Sequence, residues 1–149
     1  TEILEREIYI AARPEVVFAF FVDPVKLVQW KGQHATLEPR PGGLYRVDIN
    51  GRDVARGQYL EVTPYTRVVF TWGWEGEDSP LAPGASTVEI TLTPECGGTH
   101  VQVRHLGLPT EPLRHMHGVG WDAFLPRLLA AAEGRRPPAG IDPMRPPAA

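Results

Sequence analysis

The stretch Arg67-Val68-Val69-Phe70-Thr71-Trp72-Gly73-Trp74-Glu75, RVVFTWGWE, sets three aromatic rings at alternate positions. Successive side chains of a β-strand point to opposite faces, so Phe70, Trp72 and Trp74 share one face while Val69, Thr71 and Gly73 share the other. The rings either fill a core or wall a space that a guest fills. The segments STVEITLTP (86–94) and THVQVRHLG (99–107) carry the same period of two. Matching their hydrophobes turns Val88, Ile90 and Leu92, and Val101, Val103 and His105, toward the rings. Thr87, Glu89, Thr91 and Thr93 then face water.

Outward from this centre the pattern repeats. LYRVDIN (44–50) and VARGQYLEV (54–62) read as strands, with Tyr45, Val47 and Ile49 facing inward and Tyr59 joining them on a less clearly patterned strand. Leu4, Arg6, Ile8 and Ile10 alternate with Ile3, Glu5, Glu7 and Tyr9 in a first strand with one wet face. Pro14 opens a short buried helix over EVVFAFFV, and Asp23-Pro24 caps and starts a second short helix through about Trp30. Residues 31–43, ending Pro41-Gly42-Gly43, read as loop and turn, and residues 75–85 (EGEDSPLAPGA) as a mobile loop at the sheet's end.

From near Thr110, Leu113, His117, Gly120, Trp121, Phe124 and Leu128 recur at spacings of three and four, defining one face of a helix. Pro126 removes one helical hydrogen bond and crowds the Asp122 carbonyl, which predicts a kink or a break there. The order is strand, two short helices, five or six antiparallel strands and a long helix. An antiparallel sheet with one apolar face needs a cover, and only the C-terminal helix, at roughly 30 Å, is long enough. The fold class expected is α+β, a curved antiparallel sheet of about six or seven strands wrapped around a long C-terminal helix. Residues 1–133 form that domain, and 134–149, with five prolines in 16 residues, read as a flexible Pro-rich tail.

The totals narrow the function. One domain of 149 residues can bury a real core, and 42% hydrophobic with 22% charged residues is ordinary for a folded chain. A net charge of -3, with basic residues scattered, argues against a nucleic-acid partner. Only Lys26 and Lys31 of the 15 basic residues are lysines. The lone Cys96 has no partner for a disulfide or a CxxC site, and no apolar run approaches the ~20 residues of a membrane span. TEILEREIYI alternates like a strand rather than a signal peptide, so a cytoplasmic, reduced protein is expected.

Pro14-Glu15-Val16-Val17-Phe18, Asp23-Pro24, Trp30, Gly42-Gly43, Val68-Val69-Phe70-Thr71-Trp72, Gly98-Thr99, His105 and Gly120-Trp121, in this order of elements, resemble the heat-shock-protein-90 ATPase activator homologue family. That family belongs to the START-like (SRPBCC) superfamily with the helix-grip fold, and the resemblance runs from residue 1 to about 133. The FTW strand and the late Gly-Trp are its most specific marks. Lys31 follows Trp30 where family members often carry a second tryptophan. The resemblance implies a hydrophobic cavity between sheet and long helix, used across the superfamily for lipids, polyketides and other apolar molecules; it implies no fixed activity.

The candidate lining residues are Tyr45, Tyr59, Phe70, Trp72, Trp74, Ile90, Val103 and His105 from the sheet, and His117, Trp121 and Phe124 from the helix. His105 breaks an otherwise apolar face: it is either a structural histidine satisfied by a carbonyl or water, or a polar handle for a ligand beside His117 or Trp121. Two indoles 6.5–7 Å apart (roughly two residues along a strand) would leave a slot between their planes. Trp74, next to the 75–85 loop, would sit near a mouth.

His115-Met116-His117 invites a metal reading, but helix positions i and i+2 point about 200° apart and no third ligand accompanies them. No nucleophile elbow or paired inward carboxylate is present, so no catalytic residue, cofactor or metal is assigned. Three functions follow. The first is binding of a small, mostly apolar or amphipathic molecule. The second is a polyketide cyclase or aromatase in the same cavity, using His105. The third is a chaperone-regulating interaction module, not favoured for a chain without the eukaryotic activator's additional N-terminal domain. An exposed sheet edge leaves a homodimer open.

Overall fold

The structure, a computed structural model, describes residues 3–137. β1 (Leu4–Ile10) leads into α1 (Pro14–Val22), with Pro14 in its first turn, and α2 (Pro24–Leu27), where the Asp23 carboxylate accepts from the Val25 N–H at 2.9 Å. Six strands follow: β2 (His34–Leu37), β3 (Leu44–Asp48), β4 (Val54–Thr63), β5 (Arg67–Trp72), β6 (Ser86–Glu95) and β7 (Gly98–Leu106). α3 (Glu111–Ala132) closes the order, with Thr110 as its cap and Pro112 in its first turn. The strands make one curved antiparallel sheet in the order β1-β7-β6-β5-β4-β3-β2. A bulge between Tyr59 and Glu61 interrupts the β4–β5 register, and bulges bend the strand that carries them.

The expected inward set is buried. Tyr45, Val47, Tyr59, Phe70, Val88, Ile90, Val101 and Val103 each expose 1% or less, because the sheet's inner face meets α1 and α3. Tyr45 stacks on Phe70 with centroids 4.0 Å apart, and the Tyr59 hydroxyl donates to the Phe21 carbonyl at 3.0 Å. These contacts tie the sheet's centre to α1. The outer face is wet and charged, with Arg67 and Arg104 paired to glutamates across the strands.

Three local expectations are corrected. Residues 31–43 are not all loop: His34–Leu37 pairs with β3 from His34↔Asp48 to Leu37↔Tyr45. Four residues are too few to show a period against the flanking turn signals, so this edge strand is specified by its partner.

β5 ends at Trp72 rather than running through Trp74, which makes an isolated bridge to Ala55. Gly73 is the cause. A Cβ there would lie 1.8 Å from the Ala82 carbonyl oxygen, so glycine admits the 75–85 segment against the strand end. That segment is anchored midway by buried Leu81, whose carbonyl accepts from the Trp74 N–H at 2.7 Å.

Pro126 does not break α3, which is continuous through it. Buried Leu125 and Leu128 flank it, and Arg127 donates to the Trp30 carbonyl at 3.2 Å, so tertiary packing outweighs the missing bond. Of the residues read as a Pro-rich tail, 138–149 lie outside the described residues.

Candidate functional site

The site is assembled where α3 crosses β5 and β7. His117 comes from α3 and is buried, while His115 points to solvent, as the i, i+2 geometry requires. The His117 Nδ1 lies 2.7 Å from the Leu113 carbonyl, which can only accept, so Nδ1 carries the proton. Its Nε2 is therefore an acceptor, and it takes two indole N–H groups, from Trp72 at 3.2 Å and from Trp74 at 3.1 Å.

His105 is fixed the same way. Trp121 donates its indole N–H to Nδ1 at 3.3 Å, leaving Nε2–H to donate to Ser86 Oγ at 3.0 Å, and Ser86 donates onward to the Trp72 carbonyl at 2.8 Å. Burial pushes both imidazoles below the ordinary histidine range, His105 well below, and the positive charge of Lys31 adds to this. Both are neutral at pH 7 with every ring nitrogen engaged. The two rings stand 5.1 Å apart, edge to face.

Lys31 stands over this network. The turn after α2 delivers it: the Lys31 N–H reaches the Leu27 carbonyl at 2.9 Å, and the Trp30 indole N–H reaches the Phe20 carbonyl at 3.0 Å. Gly32, at φ +82, lets the chain press against β3; a Cβ there would lie 2.7 Å from the Asp48 carbonyl oxygen. α3 clamps the turn from the other side, with Arg127 donating to the carbonyls of Gln29 and Trp30.

Only 3% of Lys31 is exposed. Its Nζ lies 4.1 Å from the ring centre of Trp72, 4.7 Å from Trp121 and 5.6 Å from Trp30. Among the described residues it has no hydrogen bond and no carboxylate. Burial lowers its pKa from 10.5 to about 7, since the charged form gives up water. Ring faces return part of that loss through cation–π attraction, each contact on the order of 1 kcal/mol.

Lys31, the two histidines and their indoles line a partly open chamber of about 30 Å³ together with Ile49, Met116, Gly120 and Phe124. This holds one or two waters, well below the ~300–1,000 Å³ of a typical ligand pocket. Beyond Trp74 and Met116 lies an open groove of about 440 Å³ between 53–54 and 74–80. Trp74 and Met116 therefore belong to both spaces and form the partition between them.

Six of the expected lining residues meet at the chamber: Trp72, Trp74, His105, His117, Trp121 and Phe124. Tyr45, Tyr59, Phe70, Ile90 and Val103 do not reach it and fill the core beneath. The slot expected between Trp72 and Trp74 is absent. Their rings pack edge to face at 5.2 Å, turned by the shared His117 acceptor. Lys31, Ile49 and Met116 were not among the expected residues. The signal for Lys31 was its place directly after Trp30 in a chain with two lysines.

The chain matches the family described as Activator of Hsp90 ATPase homolog 1-like protein over residues 11–133. It belongs to that family. A solution structure of an AHSA1-like protein from Rhizobium etli is 40% identical, with 99% of this chain and 91% of that one covered at a TM-score of 0.73. A crystal structure of a Chromobacterium violaceum protein is 25% identical over 88% and 96% of the two chains, at 0.73. The Aha1 dimer of Colwellia psychrerythraea shares the fold of this AHSA1-like chain at 0.74 and 20% identity, over 89% and 97%. No curated protein matches. Among the described residues, no helix of this family member is long and apolar enough to cross a membrane.

Proposed function

We propose that this AHSA1-like protein binds a small, mostly hydrophobic molecule between its sheet and its C-terminal helix. One observation carries the reading: the chamber's indoles and imidazoles make hydrogen bonds with one another and with Leu113 and Ser86, which leaves Lys31 Nζ, among the described residues, as the polar group there without a hydrogen-bond partner. A guest is then held by apolar area and by one polar contact. Each 100 Å² of apolar surface it buries contributes about 2.5 kcal/mol before ordering costs.

The guest needs more room than the resting chamber offers, and Met116 can yield it. Its unbranched thioether side chain is half-buried and separates the chamber from the outer groove. Movement of this one side chain would join the two spaces. The cyclase reading finds less support, because neither ring nitrogen of His105 is free to take a proton from a substrate.

Tryptophan emission tests the proposal, since Trp72, Trp74 and Trp121 all line the chamber. A panel of fatty acids, flavonoids and aromatic polyketides is expected to shift or quench it saturably, and Met116→Ala to tighten binding of the larger members. Unchanged emission from both proteins across the panel rejects the proposal. The Colwellia relative was solved as a dimer, which favours the same state here; light scattering at micromolar concentration decides it.

A further inference from the structure

We propose that Lys31 is an amine nucleophile that captures small aldehydes as imines inside the chamber. The inference rests on the binding reading above and names the chemical class of its guest. Three features carry it. The first is position: Nζ reaches the chamber from a turn held on three sides, over the faces of Trp72 and Trp121.

The second is the company it keeps. The titratable groups that face it are His105 on β7 and His117 on α3, both neutral, and no acid lines the chamber from β3, β5, β7 or α3. Among the described residues no carboxylate there pairs with the nitrogen as an ammonium ion. Burial brings its pKa down to about 7, so the free amine is available at neutral pH. A lysine desolvated in an apolar pocket is one of the general ways of making an amine reactive. The third is the mainly apolar lining, which limits the water beside the C=N product and so slows its hydrolysis.

The chemistry balances without an oxidant or a reductant. The Nζ lone pair attacks the carbonyl carbon and the C=O π pair moves to oxygen. One proton passes from nitrogen to that oxygen, giving a carbinolamine. The hydroxyl then leaves with the second nitrogen proton as water, and the C=N bond forms. The chamber's volume suits the aldehyde carbon and the departing water, and the rest of the aldehyde extends past Met116 into the outer groove.

The chain supplies its own control, because its only other lysine is the half-buried Lys26. The full chain is incubated at pH 7.5 with benzaldehyde and cyanoborohydride, which reduces an imine to a stable secondary amine. Peptide mass spectrometry then compares the two sites. The expected result is Lys31 labelled at least ~10-fold faster than Lys26 in the folded chain, with the preference lost in guanidinium. Lys31→Met should lose the label at that site, and benzyl alcohol, which forms no imine, should shift the parent's tryptophan emission saturably.

Equal labelling of the two lysines, or a preference for Lys26, overturns the proposal. A saturable shift with benzyl alcohol but no label on Lys31 overturns the imine and leaves the binding reading standing. Neither shift nor label removes both.

Discussion

The two faces of the sheet treat positive charge in opposite ways. On the outer face Arg104 lies between Glu89 at 3.1 Å and Glu5 at 3.3 Å, and Arg67 between Glu61 at 3.2 Å and Glu89 at 3.4 Å. The pairs follow from register, since Glu5 and Glu89 both lie opposite Arg104. On the inner face Lys31 meets three indoles and no acid. The outer charges are solvated and paired, and losing one changes little. The inner charge has little water and, among the described residues, no acid to pair with. A charge held at such cost without an acid beside it is the observation from which the binding proposal starts.

Substitutions on each face should break or sharpen this contrast, and the inner face should respond more. Trp72→Ala removes a buried ring and one of the two N–H groups that donate to His117 Nε2. A loss of about 3–5 kcal/mol is expected in urea unfolding. Lys31→Met comes next and acts in the other direction. With the native pKa near 7 and the unfolded one near 10.5, the unfolded chain binds more protons between those values. The penalty is thus fully present below pH 7 and is lifted as pH rises toward 10. At pH 6 the variant should be more stable than the parent by roughly 2–4 kcal/mol. By pH 9 that gap should narrow by ~2–3 kcal/mol, at 1.36 kcal/mol per unit.

Why the decisive residue was hard to read in the sequence follows from the same contrast. Alternation over 67–74, 86–94 and 99–107 specified the sheet and its inner face, because a strand's period is a local property. The helix face from Leu113 to Leu128 was legible for the same reason. Lys31 sits in a turn, where no period exists. Its burial comes from Gly32 pressing on β3 and Arg127 reaching back from α3 to Trp30, contacts that span 16 and 97 residues of the chain. His105 could be flagged as an oddity on an apolar strand. That Ser86 and Trp121 would occupy both its nitrogens depends on three elements meeting. The edge strand β2 was missed because its order comes from β3.

Smaller effects complete the contrast. Ser86→Ala leaves the His105 Nε2–H without its acceptor and should cost about 1–2 kcal/mol. On the outer face, Arg104→Ala breaks two ion pairs yet should cost under about 1 kcal/mol, and the effect should shrink further in 0.5 M salt. An Arg104→Ala loss as large as that of Ser86→Ala would erase the distinction between the faces.

The most direct test is the titration of Lys31 itself, followed by the NMR shift of its Cε in protein labelled at lysine, with the Lys31→Met spectrum giving the assignment. An amine buried among Trp30, Trp72 and Trp121 should be half-protonated near pH 7. A midpoint near the ordinary ~10.4 of a solvated lysine would contradict the account, because the chamber would then lack the free amine that the proposed imine chemistry requires.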